Sequence, residues 1–224
     1  MRLNKAKAVQ RSPAFAPPWA LIAASAMILH LTAASATLTP QQFRDFRGQL
    51  TEAGQYTGSL EAQVYRFSGQ LGGCGLVFTV VLRDWANAPE AITYAVGSVN
   101  YMAKPGEAPY IATKLVLDDV REANGEVSMS PARAEYSYLS TDSMSLAGKE
   151  SQMIFDESGH ALLGAYPDPD GSLMGFFASP AVTFSYNRGG PDVSFVLNTV
   201  GPPVGNEYAD CMLQLIQQTL DQSE

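Results

Sequence analysis

From about residue 60 onward, apolar and polar side chains alternate with a period near two, the mark of strands with one face in a core. Leu60–Ser68 opens the series as a mixed strand. Leu76–Arg83 (LVFTVVLR) is apolar on both faces and predicts a central strand. Ala91–Met102 sets Ile92, Tyr94 and Val96 against Thr93, Ala95 and Gly97. Lys104-Pro105-Gly106-Glu107 marks a turn, and Tyr110–Leu117 returns as a strand. Shorter candidates follow at Glu126–Met129, Glu135–Leu139, Gln152–Phe155, His160–Tyr166 and Leu173–Phe177. The clearest hairpin joins Val182–Tyr186 to Val193–Leu197 through Asn187-Arg188-Gly189-Gly190-Pro191-Asp192. About ten short strands at this spacing predict a mainly β fold, one antiparallel sandwich or barrel-like domain rather than βαβ units.

Two segments carry a helical period instead. Thr39-Pro40-Gln41-Gln42 combines an N-cap, a first-turn proline and a capping-box glutamine, and Phe43, Phe46 and Leu50 then share one face. Gly54 and Gly58 are expected to end this short N-terminal helix. At the other terminus, Gly201-Pro202-Pro203 breaks the last strand and Asn206 can cap a helix over Glu207–Leu220. Tyr208, Cys211, Met212, Leu215 and Ile216 line its apolar face, which predicts a helix packed on the sheet.

The first 36 residues follow neither pattern. Arg2, Lys5, Lys7 and Arg11 precede an apolar run from Trp19 to Leu31, and Ala34 and Ala36 fit the −3 and −1 positions of a cleavage site. That reads as a secretory signal peptide, 1–36, followed by a single domain, 37–224. A retained anchor is the rival, but the stretch is alanine-rich and interrupted by Ser25, His30 and Thr32. No cysteine stands directly after the run and no Arg-Arg pair precedes it, which argues against lipoprotein processing and twin-arginine export.

Composition changes meaning once the leader is set aside. The whole chain of 224 residues has a net charge of −8 and is 46% hydrophobic. The leader holds four of the 14 basic residues and none of the 22 acids, so the remainder carries −12. Such a chain repels nucleic acid and anionic lipid, and no integral span is expected after cleavage. Cys74 and Cys211, the only cysteines, are expected to form a structural disulfide in an oxidising compartment. It would tie the C-terminal helix to the sheet near Leu71-Gly72-Gly73-Cys74-Gly75.

Candidate chemistry is sparse. His160 is the sole histidine of residues 37–224, so a histidine-rich metal site is impossible, and Asp156-Glu157-Ser158-Gly159-His160 reads as a hairpin turn. The chain has no Gly-x-Ser-x-Gly elbow, Ser-x-x-Lys motif or phosphate-binding loop. Asp168-Pro169-Asp170-Gly171-Ser172 resembles the start of a calcium loop, yet Phe177 stands where the bidentate Glu belongs. It is first of all a turn, with a weak oxygen-ligand cation site as the alternative. Asp118-Asp119 with Glu122 forms an acidic cluster at a strand end, read as a solvated loop or, alternatively, as hydrolytic carboxylates. Tyr94, Tyr101, Tyr110, Tyr136 and Tyr138 are either core residues or the lining of a carbohydrate or peptide surface.

The order Ser172-Leu173-Met174, Val182–Tyr186, Gly189-Gly190, Val193–Leu197 and a helix bearing Tyr208-Ala209 is similar to invasion-associated locus B-like proteins, exported β-rich proteins of Gram-negative bacteria. The resemblance covers the layout of the C-terminal third and implies a periplasmic, sandwich-like, non-enzymatic protein. It carries over no site residues. Taken together, the sequence predicts an exported, periplasmic or secreted binding or envelope-interaction module. It needs no cofactor, and its partner is an unknown protein or envelope component. The alternative is an envelope hydrolase using Asp118 or Asp119.

Overall fold

All but the last residue of the run that is apolar on both faces lies in β2 (Gln70–Leu82) of the computed structural model, between β1 (Tyr56–Phe67) and β3 (Ile92–Met102). Its side chains have two destinations. Leu76, Phe78, Val80 and Leu82 enter the main core, while Val81 joins a smaller cluster on the opposite face. The structure describes residues 39–221 except 53–55, 85, 89–90, 105, 147–152, 158, 169–170 and 200–203. Residues 1–36, expected to be a leader, therefore lie outside the described residues, as do Gly54, Pro169-Asp170 and Gly201-Pro202-Pro203.

The remaining elements, among the described residues, are α1 (Pro40–Glu52), β4 (Tyr110–Ala123), β5 (Glu126–Ala132), β6 (Tyr136–Ser140), β7 (Ser145–Leu146), β8 (Met153–Phe155), β9 (Ala161–Pro167), α2 (Met174–Phe177), β10 (Ala181–Asn187), β11 (Val193–Asn198) and α3 (Gly205–Asp221). They build two antiparallel sheets. Sheet A has seven strands in the order β1-β2-β3-β4-β9-β8, with β5 also on β4; sheet B runs β11-β10-β6-β7. The predicted mainly β, sandwich-like architecture with a helix near each end is what the structure shows.

Strand β4 is forked. One edge pairs with β3 from Tyr110 to Val120, while the other is divided, Tyr110–Val116 to β9 and Leu117–Ala123 to β5. The sheets meet on a triangle of aromatic rings. Phe78 from sheet A lies 5.0 Å from Phe184 and 5.2 Å from Phe195, which are 5.4 Å apart. Gly97 faces Phe78 across the β2–β3 ladder, and a Cβ there would come within 2.5 Å of Phe78 Cζ. The missing side chain is what admits the ring.

Helix α1 covers the other face of sheet A with Phe43 and Leu50 against Val81, Ile92 and Val120. Its capping box forms as expected: Gln42 N donates to Thr39 Oγ1, and Thr39 N donates to Gln42 Oε1. Helix α3 buries Tyr208, Cys211, Met212 and Leu215 in the main core, and the Cys74–Cys211 disulfide joins it to β2. Gln218 Nε2 adds a hydrogen bond to Leu71 O. Among the described residues, no helix is long and apolar enough to cross a membrane.

Three expectations are corrected. Gly58 does not end α1, because it lies within β1, which starts at Tyr56 and turns at Ser68-Gly69. Both turn residues have positive φ, 52° and 85°, the two-residue geometry that follows the twist of a hairpin. The central strand predicted from Leu76 starts earlier, because Leu71–Gly75 already pairs with β1 and, from Gly73, with β3. Leu173–Phe177 holds the short helix α2, not a strand. Phe176 and Phe177 are both buried, which neighbouring positions of a half-exposed strand cannot achieve.

The disulfide closes a loop of 137 residues, so the paired Cys74→Ala/Cys211→Ala variant should lose about 2–5 kcal/mol of stability. Urea unfolding with and without reductant measures this, and an unchanged midpoint would contradict it.

Candidate functional site

The hairpin end of the sandwich concentrates the polar chemistry of the molecule. Arg188, at the exit of β10, reaches back between the sheets to sheet A. Its Nη1 and Nη2 donate to the two carboxylate oxygens of Asp119 at 3.0 and 2.9 Å. Nη1 also lies 3.3 Å from Asp84 Oδ2 and 3.5 Å from Thr93 Oγ1. These groups are withdrawn from water, with side-chain exposures of 11% for Arg188, 10% for Asp119 and 0% for Asp84. Asp84 is completed by Asn87, whose backbone N and side-chain Nδ2 both donate to it. Arg121 approaches Asp119 from the exposed side at 3.8 Å.

Tyr186 is buried beside this cluster, and among the described residues no group lies in hydrogen-bonding geometry with its hydroxyl. Burial pushes its pKa far upward, so the phenol stays neutral.

The hairpin turn held by Arg188 is itself rigid. Asn187 Oδ1 accepts from Gly189 N, and its Nδ2 donates to Gly190 O and to Asp192 Oδ1, each at 2.7 Å. Glu135 N donates to Asn187 O, binding the turn to the start of β6.

Asp192, just before β11, gathers the polar groups at the hairpin end of the outer face of sheet B. Tyr136 Oη donates to its Oδ1 at 3.0 Å and Tyr138 Oη to its Oδ2 at 2.9 Å. The two rings are stacked, 6.4 Å between centroids and 29° between planes. Strand alternation explains the placement: Ser137 and Leu139 of β6 point inward and are buried, whereas Tyr136 and Tyr138 point outward and remain partly exposed. Ser185 and Ser194, paired across β10 and β11, share a 2.8 Å hydrogen bond next in the row. Hydrogen bonds from Asn187, then Tyr138 and Tyr136, hold the Asp192 carboxyl below its ordinary value of 3.8. A shallow pocket of about 200 Å³ adjoins it, with Tyr56, Arg83, Asp84, Pro191 and Ser194 among its walls.

The structure distributes the residues singled out from sequence quite differently from one another. Tyr101 and Tyr110 are core residues, and Tyr94 is half-buried against the α1 cluster. Only Tyr136 and Tyr138 come together on a surface. Asp118, Asp119 and Glu122 lie within β4, so the solvated-loop reading is corrected. As successive strand residues, Asp118 and Asp119 point to opposite faces. Burial pushes the Asp118 carboxyl upward, against the pull of His160.

His160 sits beside Asp118, Nε2 to Oδ1 at 3.4 Å, and the same nitrogen is 3.0 Å from Leu117 O. That carbonyl lies where the β9 pairing ends and the β5 pairing begins, so the imidazole bridges the fork. Its turn is closed by Asp156 Oδ1, which accepts from the backbone N of His160 and Ala161.

Asp168 is nearly fully buried and accepts from Tyr101 Oη and Leu173 N, while Gly171 N donates to its carbonyl. Asp168 thereby ties the residue that precedes α2 to β3. Among the described residues, no group of three or more His, Cys, Asp or Glu side chains is placed to hold a metal ion.

Sequence reasoning missed Arg188, Asp84, Asn187 and Asp192, all in turns or at strand ends. The one signal present was an arginine and an aspartate flanking Gly189-Gly190-Pro191 in an otherwise plain hairpin turn.

No family model, no curated protein and no solved structure matches the chain.

Arg188→Met should cost about 3–5 kcal/mol, because it leaves Asp84 and Asp119 buried without their cation. Tyr186→Phe should change stability by less than about 1 kcal/mol, since the deleted hydroxyl makes no well-formed hydrogen bond among the described residues. Chemical denaturation of both variants separates the two roles, and a large loss in Tyr186→Phe would refute the second.

Proposed function

We propose that this protein is an exported, non-enzymatic binding module of the periplasm or extracellular space, acting on a protein or envelope component through the outer face of sheet B. The observation that carries the reading is the Tyr136–Asp192–Tyr138 arrangement. Two aromatic side chains and a carboxylate are fixed by mutual hydrogen bonds on a surface face, beside a pocket. Rigid aromatic side chains with satisfied polar ends give contact area at low entropic cost. The leader pattern of residues 1–36 and a disulfide formed by the only two cysteines support export. The likeness to invasion-associated locus B-like proteins points the same way.

A hydrolase using Asp118 and Asp119 is disfavoured by geometry. Two catalytic carboxyls must face one cleft, whereas these diverge, and both oxygens of Asp119 are engaged by Arg188.

Intact mass of protein recovered from the native envelope should give a chain starting at Thr37 and lacking two hydrogens; a full-length mass with reduced thiols would refute export. For the binding face, tyrosine fluorescence should respond saturably to at least one class among basic peptides, acidic peptides and oligosaccharides. The paired Tyr136→Ala/Tyr138→Ala variant should lose that response. No response from any class would overturn the binding reading.

A further inference from the structure

The hydrogen-bond balance of the exposed face says what kind of group it can receive. Tyr136 and Tyr138 each have one hydroxyl proton, and both protons are committed to Asp192. The Asn187 Nδ2 group is likewise committed, to Asp192 and to Gly190 O. What this trio still offers outward is therefore acceptors: phenolic lone pairs and the remaining lone pairs of a carboxylate, alongside the electron-rich faces of the rings. Donating to a carboxylate makes each phenolic oxygen a better acceptor still.

The surroundings have the same polarity. Glu135 adjoins the turn, and Asp84 contributes to the pocket wall. Arg188 is consumed by Asp119 and Asp84, and Arg83, on the pocket wall, has a partner of its own. Residues 37–224 carry −12 overall.

An anionic, aromatic face whose central trio offers only acceptors complements a flat cation rich in donors. We propose that the Tyr136–Asp192–Tyr138 face binds a guanidinium group, the arginine side chain of a basic peptide segment; this rests on the binding reading above and names its ligand class. Guanidinium suits the site better than ammonium. Its planar fork can donate to a phenolic oxygen and a carboxylate oxygen together while its face lies on a tyrosine ring. A neutral saccharide would have to satisfy its acceptors elsewhere, since the trio has no donor left for it. Because the Asp192 carboxyl is held below its usual value, the anion and the binding persist where ordinary carboxylates begin to protonate.

The test is calorimetric titration of the disulfide-bonded protein with three probes: blocked tetra-arginine, blocked tetra-lysine and chitotetraose. Tetra-arginine should bind saturably, weaken as salt rises, and bind several-fold more tightly than tetra-lysine. Asp192→Asn should weaken it about tenfold or more. Tyr136→Phe, which keeps the ring and the turn, should weaken it by a smaller factor, about two- to fivefold. Asp210→Asn, an exposed acid on α3, should leave it unchanged and so exclude attraction to net charge alone. A urea midpoint for each variant shows that the fold is intact.

Equal affinity for tetra-lysine, or arginine binding that Asp192→Asn does not alter, overturns the guanidinium assignment. Chitotetraose binding in place of tetra-arginine, lost in Tyr136→Phe, also overturns it while preserving the binding module. Silence from all three probes overturns the guanidinium assignment. If the wider fluorescence series is silent as well, the binding reading fails with it.

Discussion

A buried guanidinium sets the geometry of the hairpin end. Arg188 leaves sheet B, crosses to sheet A and grips Asp119 through both nitrogens, with Asp84 as a second anion. Desolvation makes such a group costly on its own and strongly committed to its partners once formed. With Arg188 immobilised, Asn187 is fixed one residue before it and Asp192 four residues after it. The two tyrosine hydroxyls then have a stationary acceptor. The polar surface is thus ordered from inside outward, by charges that solvent scarcely reaches.

The opposite end of β2 is held by different chemistry. Cys74 ties that end to α3, whereas Asp84, just past the other end, belongs to the ionic cluster. Ten residues of extended chain separate the two positions, roughly 30 Å. Between them the sheets are joined by apolar packing centred on Phe78, Phe184 and Phe195. One link is covalent and depends on redox conditions; the other is electrostatic and depends on exclusion of water.

Much of the architecture was legible because alternation is a local property. The β10–β11 hairpin, the central run of β2, the capping box of α1 and the apolar stripe of α3 were all written within about fifteen residues of chain. The disulfide was legible by elimination, as the only cysteine pair. The candidate site was not legible, because its parts lie far apart: Arg188 meets Asp84 across 104 residues, and Tyr136 meets Asp192 across 56. Nothing local distinguishes Tyr136 and Tyr138 from the core residues Tyr101 and Tyr110, since all four lie on strands. Asp119 was misread for a related reason. An acid in a strand signals solvent unless a distant cation is known to neutralise it.

The fork in β4 has a consequence for how the molecule acquires its surface. Between the two strands that share this edge, the chain leaves sheet A after β5, supplies β6 and β7 to sheet B, and returns through β8 to β9. β6 meets the two-residue β7 at once, but its longer pairing waits until β10 has been made, more than forty residues later. Its pairing is a high-separation closure of the kind that slows folding. The tyrosine-bearing strand is thus a late arrival, with β10 between it and the edge strand β11. A chain whose sheet A has formed but whose second sheet has not closed lacks the Tyr136–Asp192–Tyr138 face.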